Sequence, residues 1–214
     1  MNKSYWTGFL SGTTILALGM VALLAGSGFQ NTSQKIGVID SNTVIQKIAD
    51  VKNMVEQEKN LRTDRETVIQ FLDRYRVMKR EDAEKFKNLS IKPTKTDAEK
   101  AELEKVKTAA TEAQRKFKDL ELKSSPTADE LKNLDDYRNR QNEMVEYLQG
   151  LVKEFETELG AIHGKNQATL FEAFKAGIDE VGKKQGFTLV MDKNVAPYGA
   201  NDLTDDVSKA AAKK

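Results

Sequence analysis

The side chains that could catalyse a reaction or hold a metal are few and scattered. The chain has one histidine, His163, set between Ile162 and Gly164, and no cysteine. A structural zinc site takes about four nitrogen or sulfur ligands, so one imidazole falls far short, and an exposed or packing role is expected for it. Without cysteine there is no disulfide framework and no thiol chemistry. An oxidising compartment is thereby permitted but not indicated. The adjacent pairs Asp135-Asp136 and Asp205-Asp206 would point about 100° apart on a helix. With no cleft to desolvate them, general acid–base work is not expected. No glycine-rich phosphate loop and no nucleophile elbow occurs. The chain is therefore read as no enzyme, with no catalytic, metal or cofactor-binding residues.

What the sequence does specify is a layout. Between Gly37 and Gly150 there is no glycine, and the only prolines are Pro93 and Pro126. That stretch is rich in Lys, Glu, Ala, Leu, Gln and Asp, the composition of long helices or coiled coil. A strand-like segment, 35–40, precedes it, and two more, 187–191 and 195–198, close the chain. Charged residues make up 31% and hydrophobic ones 39% of the 214 residues, a lean supply for one compact core. The implied fold is α+β but mostly α: arms projecting from a small β body.

Residues 1–27 carry a single charged side chain, Lys3, and an uncharged run from Phe9 to Ala25 that ends in Ala25-Gly26-Ser27. A short positive start, an apolar middle and a small-residue exit read as a secretory signal peptide. An uncleaved anchor in the inner membrane, facing outward, is the competing reading, because the segment nears the ~20 residues of a spanning helix. Without it the 33 acidic side chains are balanced by as many basic ones. A chain-wide electrostatic pull toward nucleic acid or anionic membrane is thus not expected. Contact with a membrane would be transient, through bound partner chains, or through an uncleaved N-terminal segment.

Three apolar seams run through the helical stretch. Ser41 or Asn42 can cap a helix starting near Thr43. Met54, Leu61, Val68 and Tyr75 recur every seven residues, and Val51 and Leu72 share a second position interrupted by Glu58 and Arg65. Leu103, Val106, Ala110, Ala113, Phe117 and Leu120 alternate spacings of three and four, as do Val145, Leu148, Val152, Phe155, Leu159 and Ile162. Such spacing keeps apolar residues on one side of an underwound helix. Breaks are expected at Ile91–Thr94 and Ser124–Pro126, each followed by a capping box, Thr96 with Glu99 and Thr127 with Glu130. A softer break is expected at Gly160–Gly164.

If the terminal strands share one sheet, the excursion must end where it began. One net reversal is therefore expected between residues 91 and 127, the other break being a kink or a local tip excursion. Each arm would span roughly 50–70 residues, or about 75–105 Å. A bare two-helix arm buries little surface and should move freely far from the body. The cluster Arg74, Arg76, Lys79 and Arg80 is read as solvation or intra-arm pairing. Phe71, Phe86, Tyr137 and Tyr147 either complete the arm seam or touch a partner chain.

The body is too small to stand alone. Residues 165–185 form an amphipathic helix stopped by Gly186, and Pro197 marks an edge or end position in the last strand. Three short strands and a short helix need further partners for Ile36, Val38, Ile39, Leu189, Met191 and Val195. Oligomerisation supplies them, since several copies can close one shared barrel.

The layout and residues resemble the Skp/OmpH family of periplasmic chaperones. The carriers are the strand 35–40 directly after the leader, the helical hairpin, and the block 186–198 followed by Asp202-Leu203-Thr204-Asp205-Asp206. The resemblance implies a homotrimer with an intersubunit β-barrel and coiled-coil arms that hold unfolded outer-membrane or exported proteins without ATP. This chain departs from the family in its longer arms and in its balanced charge.

The expected organisation is thus 1–27 signal peptide, 28–42 first body segment, 43–164 helical-hairpin arm and 165–214 second body segment. The expected location is the periplasm. The expected partners are unfolded exported proteins and sister subunits, without nucleic acid. A structural coiled-coil spacer or scaffold of the cell envelope is the alternative.

Overall fold

The computed structural model describes residues 35–198 and 201–213, all within one compact unit, 34–214. The segment read as a signal peptide lies outside the described residues.

The body joins the two ends of the described chain. Strand β1 (Ile36–Ile39) pairs in parallel with β2 (Leu189–Asp192), Ile36 opposite Leu189 and Val38 opposite Met191. Helix α1 (Ser41–Gln46) follows β1 at once. Its N-cap is Asp40, whose carboxylate accepts from the Thr43 amide. Helix α6 (Thr204–Ala211) and the C-terminal part of α5 (Ala128–Gln185) complete the layer. Ile39, Val44, Ile48, Phe174, Val181, Leu203 and Val207 form one core among these elements. Val44 and Ile48, assigned from sequence to the arm, thus belong to the body. Gly177 allows the close packing of α6: a Cβ there would meet the Ala211 Cβ at 2.9 Å and backbone atoms of Ala211 and Val207 at 3.0 Å. Gly186 ends α5 in the left-handed region at φ 72°, where glycine carries no steric penalty.

The expected third strand, 195–198, does not form. Asp192 is followed by a turn in which Val195 and Ala196 donate their amides to the Asp192 carbonyl. Instead, residues 201–203 run beside β1: Val38 donates to Asn201 O, and Leu203 donates to Val38 O. A strand at 195–198 would need a neighbour to pair with, and the described chain supplies none.

The arm is not the bare hairpin expected. Helix α2 (Val51–Arg74) leaves the body and α3 (Arg80–Ser90) turns back along it. Helix α4 (Asp97–Glu121) runs outward again and α5 returns to the body. Contacts fix these directions. Phe71 stacks on Phe86 with ring centres 3.9 Å apart, so α2 and α3 are antiparallel about the turn 75–79. Arg80 covers the Tyr147 ring and Lys87 pairs with Glu154, so α3 runs parallel to α5. Both capping boxes form, at Thr96 and Thr127.

Three reversals thus replace the single one expected. A sheet shared by both ends requires an odd number of reversals, and three satisfies it. The additional reversal, at Tyr75–Lys79, contains neither glycine nor proline. That turn is held by burial: Val77 joins Phe117 and Leu134 near the tip, and Met78 enters the main arm core. The expected break at Gly160–Gly164 is also absent. Helix α5 is continuous for 58 residues, about 87 Å, because both cores demand one helical register.

Candidate binding surfaces of the arm and the body

The distal arm is a four-helix cluster with its own core. Val68, Ile69 and Leu72 come from α2, Ala83 and Phe86 from α3, Val106 and Ala110 from α4, and Met144, Tyr147, Leu148, Leu151 and Phe155 from α5. The helices form because each carries an apolar stripe wide enough to meet more than one neighbour. On α5 the three-four seam is therefore only part of the buried face. Leu148 and Phe155 are buried, but so are Met144, Tyr147 and Leu151, while Val145 and Val152 are exposed.

The four aromatics left open between seam and client go into this arm. Phe86 and Tyr147 are buried, while Phe71 and Tyr137 are half-buried. Phe71 packs against Phe86 and Tyr75, and Tyr137 meets Phe117 edge-on at 5.8 Å. Folded as it is, the arm offers little of these rings to another chain.

One polar group in this core is unsatisfied. The Tyr147 hydroxyl is buried and has no hydrogen-bond partner among the described residues. Burial pushes its pKa above the usual tyrosine value. The Arg80 guanidinium lies 3.5 Å above the ring and also pairs with Glu84.

Below this core the arm narrows to α2 and α5 alone. Residues 51–64 and 156–169 hold no fully buried side chain, and polar pairs join the half-buried apolar residues between the two helices there. Arg65, 8% exposed, donates from Nε and Nη2 to the two carboxylate oxygens of Glu158. One level nearer the body, Glu58 accepts from Asn166 at 2.6 Å and meets His163 Nδ1 at 3.2 Å. Glu58 and Arg65, which interrupt the apolar seam in the sequence, are thus the rungs of this ladder. His163 serves as a rung, and no group of residues among those described could hold a metal ion.

The body presents the second surface. Val38 and Ile39 are buried within the chain, Met191 is half-buried, and Ile36, Leu189 and Val195 are exposed. Tyr198 is 98% exposed, an isolated large ring beside an unpaired stretch of backbone. Tyr198 belonged to the expected strand but not to the residues singled out for assembly; the ring that ends the strand was the available signal.

Around this rim the polar groups are satisfied and fix the strand ends. Asp192 accepts from the Ser41 and Asn194 amides, and Asp40 N donates to Thr204 Oγ1. Hydrogen bonds from Lys193 and Thr204 hold the Asp202 carboxyl down to about 2. The rim thus combines firm edges with exposed apolar residues.

No described helix is long and apolar enough to cross a membrane. A family model described as outer membrane protein, OmpH-like, matches residues 35–210, covering body and arm together. No curated protein and no solved structure matches the chain.

Proposed function

The chain belongs to the OmpH-like family of outer membrane proteins, whose members are periplasmic chaperones, and from that membership we propose that it is an ATP-independent holdase. It binds unfolded outer-membrane or exported proteins after their export and keeps them from aggregating. Three copies assemble through their bodies, and their arms enclose a cavity that receives the client. Many weak contacts suit varied clients better than one shaped pocket.

The observation that supports assembly is the body rim. A two-stranded sheet is marginal by itself, and here Ile36, Leu189, Val195 and Tyr198 stand outside the chain's own core. Pairing of 195–198 with a sister subunit gives that segment the strand neighbour it lacks. The chain is exported by its N-terminal segment, residues 1–27.

The test adds the purified chain without its first 27 residues to a diluted, unfolded β-barrel membrane protein and follows light scattering. Suppression at stoichiometric ratio is expected. Unchanged aggregation at excess would leave the spacer or scaffold reading in its place. Sedimentation should give three times the chain mass.

A further inference from the structure

We propose that α3 and α4 form a movable cover, and that the client-binding surface of the arm is the apolar face of α2 and α5 beneath them. The inference rests on the holdase reading. It adds which surface binds, and its partner is an apolar or amphipathic segment of an unfolded chain.

Four observations carry it. First, the face is large and apolar. It contains Ile69, Leu72, Met144, Tyr147, Leu148, Leu151 and Phe155, which share one core with residues of α3 and α4. Second, the cover contributes mostly small side chains. In this core it buries Ala83, Val106 and Ala110 beside Phe86, while its fifth buried residue, Phe117, packs at the tip. A client segment of similar apolar volume can fill the same face.

Third, the closed state carries an unrelieved penalty. The Tyr147 hydroxyl is buried at the α5 surface under Arg80 of α3 and finds no partner. Lifting α3 returns that hydroxyl to water. Fourth, the cover is independent of the body and locally built. Helix α3 has 11 residues, below the length at which an isolated helix holds itself. The cover's ion pair to α5, Lys87 with Glu154, is partly exposed. The corners on either side of α4 are closed by their own residues: Lys92 and Thr96 with Glu99, Lys123 and Thr127 with Glu130. The cover can therefore move as one helical pair.

The experiment uses the absence of native cysteine. Lys87→Cys and Glu154→Cys are introduced together and joined by a short bismaleimide linker containing a reducible bond. With the linker closed, at least tenfold more protein should be needed to suppress aggregation of an unfolded β-barrel protein. Reduction should restore the original ratio. Equal protection with the linker closed and cut would overturn the inference while leaving the holdase reading intact. Failure of the unmodified chain to protect would remove that reading itself. Hydrogen exchange without client reads the opening directly. Amides of α3 should exchange at least tenfold faster than those of α5 between residues 144 and 155. Equal protection of the two would overturn the cover.

Discussion

Arg65 of α2 and Glu158 of α5 face each other across the arm in a two-pronged ion pair, with Nε–Oε2 at 3.0 Å and Nη2–Oε1 at 2.7 Å. The Arg65 guanidinium carbon lies over the Phe155 ring, 5.4 Å from its centre. This pair marks the lower edge of the arm core, where apolar packing gives way to polar rungs. Its planar fork is specific to arginine. Arg65→Ala should lower stability by about 1–2 kcal/mol, limited by the partial exposure of Glu158. Arg65→Lys should recover less than half of that. Urea unfolding of the three proteins checks it.

Tyr147→Phe should leave stability unchanged or raise it by up to about 1 kcal/mol. The substitution removes a buried hydroxyl that bonds to nothing and keeps the ring under Arg80. A loss greater than about 1 kcal/mol in thermal or urea unfolding would mean that the hydroxyl does have a partner.

Two glycines in the same helix should respond in opposite directions to alanine. At Gly177 a Cβ would press on Ala211 and on the Val207 carbonyl of α6, none of it a flexible side-chain end. Gly177→Ala should cost about 1–3 kcal/mol as α6 is pushed away. At Gly164 a Cβ would meet nothing within 4 Å. Gly164→Ala should gain up to about 1 kcal/mol through helix propensity alone. Melting temperatures of the two variants should move to either side of the parent.

Acid should destabilise the fold in a defined range. Lys193, then Thr204, hold the folded Asp202 carboxyl at about 2, and Lys92, then the Thr96 amide, do the same for Glu99. Both values lie below those of the unfolded chain. The stabilisation is therefore complete above the ordinary carboxylate range and lost as pH falls from about 4.5 toward 2. Asp202→Asn should flatten the fall in melting temperature over that range without abolishing it, because Glu99 still titrates.

Disruption of the body rim should separate assembly from folding. Leu189→Asp and Val195→Asp alter side chains that are exposed in the single chain. Each should leave helical circular dichroism intact and lower the sedimenting mass toward one chain. Retention of the full assembly by both variants would mean that subunits meet elsewhere.

Local signals were legible in the sequence, and signals that depend on distant partners were not. The two capping boxes needed only residues three apart, so Thr96–Glu99 and Thr127–Glu130 were readable directly. Strand β1 and the core of β2 were readable from β-branched and apolar runs. The turn at Tyr75–Lys79 was hidden because nothing in its composition breaks a helix; only the burial of Val77 and Met78 enforces it. Gly160 and Gly164 gave the opposite error, as two weak helix formers carried along by strong packing on either side. The seam on α5 was read as a line facing one partner, whereas Met144, Tyr147 and Leu151 are buried by additional helices. For the candidate site, Glu58 and Arg65 looked like faults in a seam until their partners on α5 were known.

The parallel pairing of Ile36 with Leu189 has a consequence for the order of folding. Successive helices of the arm, α2 with α3, α3 with α4 and α4 with α5, are joined by short loops and can find one another while the chain is still growing. The base cannot close until β2 and α6 have been made, some 150 residues after β1, as the Lys35–Gln185 contact illustrates. Late, long-range closure of this kind is slow. A chain cut short after α5 would carry a finished arm with no foundation.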